Sequence, residues 1–290
     1  MNAPVLQKLP PDDPDAKLKI YFLPNLLTAA NLFCGFVALT RIVGVREIEA
    51  GNLDHIREAI GFILLACIFD LFDGRVARMG GRESPFGREF DSLADLISFG
   101  VAPAFLIHRV VLRDVFVDHE EIGWFIASIY LICGAFRLAR FNCLAAMAGG
   151  GGGKEFLGFP IPSAAGLVVS LTWLLMWFYD KGKDFAESWW KWVLPALMLF
   201  LSWMMVSEVK YPTFKSLDLR ATRTFTKTLG AILFIGLVII TWGKILIFVL
   251  PFFFTGYLIY GFVRPHISRK MRHEIEEEEG DEEEGNFPAA

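Results

Sequence analysis

Cysteine and histidine are too sparse and too scattered in this 290-residue chain to build a site. The four cysteines, Cys34, Cys67, Cys133 and Cys143, stand singly in or at the ends of apolar runs, and none forms a CxxC pair. They read as small buried hydrophobes, which excludes a disulfide framework or a zinc centre. The five histidines include no HExxH, so a histidine-based metal site is excluded as well. No cleavable signal peptide precedes the first apolar run. Pro10, Pro11, Asp12, Asp13, Pro14 and Asp15 suit a short cytoplasmic leader instead. Neither an internal repeat nor a separate soluble domain is visible. Residues 274–290 lack lysine and arginine altogether and hold nine acids, the composition of a solvated, disordered tail. Setting that tail aside turns the formal charge from −4 for the whole chain to +5 for residues 1–273. A basic body of this kind favours anionic lipid head groups or phosphorylated substrates.

What the chain has in abundance is apolar surface. It is 54% hydrophobic and 14% aromatic, with a mean hydropathy of +0.45, which points to a polytopic membrane protein. Eight apolar stretches approach the ~20 residues that a bilayer crossing needs. They lie near 22–42, 59–79, 91–112, 122–146, 162–180, 189–207, 228–243 and 245–263. The expected fold is therefore an all-α membrane bundle of about eight helices. Its organisation is a leader at 1–20, a membrane domain at 21–264 and an acidic tail at 265–290. An even number of crossings puts both termini on one side. The loops on that side hold 19 of the 28 Lys and Arg against 9 opposite, so the positive-inside rule predicts cytoplasmic termini. Gly149 to Gly153 lacks the spacing of a phosphate loop and reads as a flexible connection.

Against this apolar background, four aspartates fall within 26 residues in the pattern Asp70-x2-Asp73-Gly74-x2-Ala77-Arg78-x8-Gly87-x3-Asp91-x3-Asp95. An acid at membrane depth costs about 2.5–3.5 kcal/mol on insertion scales, so it marks a functional site by default. At 100° per residue Asp70 and Asp73 project about 60° apart on one helix, and Asp91 and Asp95 about 40° apart on the next. The intervening Gly80, Gly81, Ser84, Pro85 and Gly87 let the chain turn so that the two pairs oppose each other. Converging carboxylates repel and become protonated unless a cation joins them. Oxygen-only ligands select Mg2+, Mn2+ or Ca2+, and four acids suffice for two ions about 3.5–4 Å apart, an arrangement suited to phosphoryl transfer. Gly74 leaves room for a ligand near the backbone, and Ala77 keeps that face slim. Arg78 offers a planar fork to a phosphate. Arg75, Arg82 and Arg88 read as anchors on the positive side.

These eight residues match every fixed position of the signature D-x2-DG-x2-AR-x8-G-x3-D-x3-D, and on them the chain resembles the CDP-alcohol phosphotransferase family. The resemblance implies an intramembrane helical bundle, usually homodimeric, that uses two divalent cations, Mg2+ or Mn2+. It implies transfer of a phosphatidyl-type group from a CDP-linked lipid to an alcohol, with release of CMP. Further segments are similar to members that accept L-serine, with CDP-diacylglycerol as donor. They are Leu23 to Gly35, Ser98 to Pro103, Phe136 to Asn142, Gly158 to Ser163 and Ser207 to Pro212. Phe159 departs from the leucine more usual in the family.

Carried over position by position, Asp70, Asp73 and Asp91 look like metal ligands. Asp95 looks like the general base, with a contact to metal as well. Gly74, Arg78 and Ser84 look like contacts to the CDP-lipid, joined by Thr28 and Asn31 of the first span. Serine's carboxylate asks for a cation, and the candidates are Arg137, Arg140 and Lys210. Membrane lipids are expected partners and nucleic acid is not. Two rival readings stay open. One is the same reaction with glycerol 3-phosphate, inositol phosphate or choline as acceptor. The other is an ion-coupled transporter, which would spread its acids over several broken helices. A non-catalytic relative is disfavoured because no signature position has been lost.

Overall fold

The computed structural model describes residues 22–45, 53–79, 85–147, 155–180, 192–212 and 246–261. Helix α1 (Phe22–Gly44) and helix α2 (Leu53–Met79) run antiparallel and pack along their length. Their seam is built from Ala38, Ile42, Ile56, Ala59, Ile60 and Ile63, all buried. Small residues such as Ala38 and Ala59 bring the backbones close, which is how membrane helices gain packing energy without a hydrophobic driving force. Outward-facing side chains are apolar too. Phe33, Phe36, Val43, Phe125, Phe136, Trp203 and Phe252 are each at least 60% exposed, as expected of a surface solvated by hydrocarbon.

The chain then forms a nearly continuous helical rod from α3 (Pro85–Asp95) through α4 (Ala102–Ile107) to α5 (Arg113–Val115). Pro85 opens the rod at a position where its missing N–H costs nothing. Two π-helical segments, Leu96–Val101 and His108–Leu112, interrupt the α-geometry. Such segments widen the turn and shift the side-chain register that follows. Tyr130 of α6 (Glu120–Met147) steadies the first, donating its hydroxyl to the Phe99 carbonyl at 3.1 Å. Helix α7 (Ile161–Asp180) runs through the middle of the bundle, with Ala164, Ala165, Leu167, Val168, Val169 and Ser170 all buried. Helix α8 (Val193–Val206) packs on α6, and the apolar helix α9 (Leu246–Gly261) closes against α7.

Helices therefore stand at seven of the eight expected positions, and the stretch at 228–243 lies outside the described residues. Four are long and apolar enough to cross a membrane: Asn25–Gly44, Phe86–Val115, Glu120–Met147 and Ile161–Tyr179. Helix α2 has 27 residues, about 40 Å at 1.5 Å per residue, but it carries the charges of the motif. The described part of α8 is shorter than expected, at 14 residues. The leader at 1–20, the Gly149–Gly153 run and the acidic tail also lie outside the described residues.

Among the described residues, the expected all-helical fold has one exception. Strand β1 (Glu155–Leu157) pairs antiparallel with β2 (Lys210–Pro212), Phe156 opposite Tyr211. This short ladder ties the segment before α7 to the segment after α8 and gives irregular backbone its hydrogen bonds. Gly158 completes the corner with φ +78°, its N–H bonded to the Val209 carbonyl at 2.9 Å. A Cβ at that position would stand 2.2 Å from the Met205 carbonyl oxygen. Gly158→Ala is therefore expected to cost at least about 1–3 kcal/mol from backbone strain alone. A lowered thermal midpoint in detergent is the measurement, and an unchanged midpoint would contradict the role given to this corner.

Candidate active site

Asp70 lies in the second half of α2 and Asp73 about one turn beyond it. Asp91 and Asp95 lie in the second and third turns of α3. Carboxylate oxygens of Asp70, Asp91 and Asp95 lie within 4.8 Å of one another. Asp73 takes a different partner: the buried Thr28 hydroxyl of α1 donates to its Oδ2. Sixty degrees of helix separate Asp70 from Asp73, which is enough to aim one at α3 and the other at α1. The two expected facing pairs are thus a trio with one neighbour beside it.

Helix α1 is the scaffold of this arrangement. Asn31, fully buried, donates Nδ2 to Asp95 Oδ1 at 3.1 Å, and its backbone carbonyl accepts the Ser98 hydroxyl at 3.0 Å. The contact requires Gly35, because a Cβ there would stand 2.3 Å from Ser98 Oγ and 2.8 Å from Ser98 Cα. At this point α1 and the π-helical segment touch backbone to backbone. Thr28 and Asn31, expected at the CDP-lipid, both bond to carboxylates of the motif.

Among the described residues, Arg137 of α6 is a cation beside the trio. It is 8% exposed, and its charge lies in the field of Asp95 and Asp70. Its Nε is buried without a hydrogen-bond partner among the described residues. Arg140, one turn on, donates Nη1 to the Val206 carbonyl at 3.1 Å and more weakly to that of Ser207 at 3.5 Å, binding the end of α8. Of the two arginines expected together at the acceptor, Arg137 alone sits by the acids. Asn142 joins α6 to α3 through Ser92 at 3.0 Å and Glu89 at 3.2 Å, a positioning contact outside the residues expected at the site. Its signal was its place in the Phe136 to Asn142 segment. The backbone of Gly74 and Arg78 continues α2, whose side chains are described only as far as Gly74; Lys210 is described as strand backbone, and Ser84 lies outside the described residues.

The donor set fits a divalent cation. Three carboxylates this close repel by about 3 kcal/mol or more per pair at an effective dielectric near 20. Arg137 offsets one of their three charges. Asp91 Oδ1 is buried with no hydrogen-bond partner among the described residues, an arrangement that is costly unless something else is bound there. An oxygen-only set suits Mg2+, Mn2+ or Ca2+ rather than zinc.

Residues 21–206 match the CDP-alcohol phosphatidyltransferase family, over more than half of the chain. The chain belongs to this family. Among curated proteins it is similar to CDP-diacylglycerol–serine O-phosphatidyltransferase of Helicobacter pylori, 33% identical over 245 residues, covering 84% of this chain and 91% of the relative. The enzyme of the same name from Bacillus subtilis is 32% identical over 198 residues, covering 67% of this chain and 92% of the relative. Archaetidylserine synthase of Methanothermobacter thermautotrophicus is 35% identical over 192 residues, covering 66% of this chain and 69% of the relative. A CDP-alcohol phosphatidyltransferase with this many apolar helices is an integral membrane protein.

Proposed function

We propose that this chain transfers the phosphatidyl group of CDP-diacylglycerol to the hydroxyl of L-serine, giving phosphatidylserine and CMP. The observation that carries the reading is the convergence of Asp70, Asp91 and Asp95 beside the buried Arg137, in a chain whose relatives bear the serine-transferase name. The serine hydroxyl attacks the phosphorus that bears diacylglycerol. The phosphoanhydride bond to CMP breaks, CMP takes the electron pair, and the hydroxyl proton passes to Asp95. Asn31 holds Asp95 by one oxygen, which fixes the carboxylate's orientation for that transfer.

Asp70, Asp73 and Asp91, with Asp95, would hold two divalent cations, Mg2+ or Mn2+. When bound, these ions stabilise the charge that develops on the attacked phosphate and on the leaving group. Gly74, Arg78 and Ser84 take the nucleotide and its phosphates. Thr28 and Asn31 line the same space while orienting Asp73 and Asp95. Arg137 binds the serine carboxylate, with Arg140 and Lys210 completing the basic rim. We further propose eight crossings, the site and both termini in the cytoplasm, and a homodimer. Residues 21–264 make up the catalytic membrane domain.

Purified protein supplied with CDP-diacylglycerol and Mn2+ or Mg2+ is expected to release CMP only when L-serine is present. The same assay run with glycerol 3-phosphate, inositol phosphate and choline checks the acceptor. Release that ignores serine, or follows another alcohol better, overturns the reading.

A further inference from the structure

A buried polar atom with no hydrogen-bond partner is costly, and beside a cluster of acids it marks a place for a ligand. Among the described residues, Asp91 Oδ1, Arg137 Nε and Asn31 Oδ1 are such atoms. In serine transfer Asp91 would serve a metal ion and Arg137 the substrate carboxylate. Asn31 Oδ1 is a neutral acceptor with no such use.

Its own amide fixes where this oxygen stands. Asn31 donates Nδ2 to Asp95 Oδ1 at 3.1 Å. A carboxylate that takes a proton in the reaction is ionised and only accepts, so the amide nitrogen faces it and the amide oxygen points elsewhere. The oxygen and nitrogen of one amide are about 2.2 Å apart, which puts Asn31 Oδ1 within about 5.3 Å of Asp95 Oδ1. Asn31 is fully buried, and its backbone is held as well. Its carbonyl accepts the Ser98 hydroxyl at 3.0 Å, and Gly35 lets α1 meet Ser98 one turn on.

An acceptor alcohol brings its hydroxyl to Asp95. In serine the ammonium nitrogen sits on the neighbouring carbon, about 3 Å from the hydroxyl oxygen when the two are gauche. Hydrogen bonds of about 2.8 Å at each end then join Asp95 to the hydroxyl and the ammonium to Asn31 Oδ1. An amide suits this place better than an acid. Another carboxylate would add to the repulsion of the trio and compete for its cations, whereas an amide oxygen receives an ammonium without either effect. An acceptor with no donor next to its hydroxyl would leave Asn31 Oδ1 buried and unsatisfied. We propose that Asn31 determines acceptor specificity, its Oδ1 receiving the ammonium group of an amino-acid alcohol whose hydroxyl meets Asp95. The proposal rests on the serine-transfer reading and supplies the second contact that a zwitterion needs.

The probe is 3-hydroxypropionate, which is serine without its ammonium group. Initial rates of CMP release by the full-length protein give the KM for L-serine. They also give the inhibition constant of 3-hydroxypropionate against it, since the analogue competes whether or not it reacts. In the wild type the inhibition constant is expected to lie at least tenfold above the serine KM. In Asn31→Ala the serine KM should rise about tenfold, equivalent to about 1.4 kcal/mol, while the inhibition constant stays within twofold. Loss of the bond to Asp95 should lower kcat too, but the ratio of the two constants does not depend on that. A serine KM that is unchanged, or that rises in parallel with the inhibition constant, assigns Asn31 to holding Asp95 alone. Either result overturns this proposal and leaves serine transfer intact. A wild-type inhibition constant less than tenfold above the serine KM overturns it without any variant, so the test survives a variant that fails to fold. Wild-type release that ignores serine overturns the serine-transfer reading and this proposal with it.

Discussion

Asp95→Asn is expected to lower turnover by about 10^2–10^4-fold, the range for loss of a positioned general base. Binding of the CDP-lipid should persist. The substitution is nearly isosteric, and the new side-chain carbonyl can still accept the Asn31 amide that reaches Asp95 Oδ1 at 3.1 Å. The link from α1 to α3 through Ser98 and the Asn31 carbonyl does not involve the replaced group. What disappears is the site that takes the proton from the attacking hydroxyl, together with one negative charge of the trio. Single-turnover CMP release measures the chemical step, and equilibrium binding of CDP-diacylglycerol measures the ground state. Turnover within tenfold of wild type would remove Asp95 from the base role. Loss of lipid binding in step with turnover would assign it to holding substrate instead.

Relations of short range along the chain are legible in the amino-acid sequence, and relations of long range are not. Helical periodicity places Asp70 and Asp73 near one face, and Asp91 and Asp95 likewise, since those relations span three or four residues. The length and apolarity of the runs mark the seven positions at which helices stand. The partners of these residues lie much farther away: Thr28 bonds to Asp73 across 45 positions, Asn31 to Asp95 across 64, and Ser98 to Asn31 across 67. No local rule specifies such pairings, because each depends on which helices stand next to each other.

Two spacings of three residues show the same geometry. Asp70 and Asp73 are three residues apart, as are Arg137 and Arg140. In both cases a separation of about 60° around the helix sends one side chain to the acid cluster and the other to a different neighbour. Spacing of three implies a shared flank without implying the same protein neighbour. The π-helical segment Leu96–Val101 is illegible for another reason: its contacts, to Gly35 through Ser98 and to Tyr130 through the Phe99 carbonyl, are long-range, and no residue type encodes it.

Removing one charge from the trio should alter stability in opposite directions with and without metal. In chelator, Asp91→Asn is expected to be at least as stable as wild type, because it relieves repulsion among carboxylates that lie within 4.8 Å of one another. It also replaces an anionic oxygen that is buried without a partner among the described residues. Adding Mn2+ or Mg2+ should then raise the thermal midpoint of the wild type. A free ion at a hundred times its dissociation constant stabilises the folded state by about 2.7 kcal/mol. The variant, left with Asp70 and Asp95 of the trio, should show little or none of that gain. The order of the two melting curves is thus expected to cross on addition of metal, a pattern that a purely structural aspartate would not produce. The readout is independent of turnover, so it tests the ion-binding role of the trio separately from the identity of the acceptor. Equal shifts in both proteins would place the ion elsewhere. A wild type more stable than the variant in chelator, and unmoved by either ion, would make Asp91 a structural residue whose buried oxygen is satisfied by some other group.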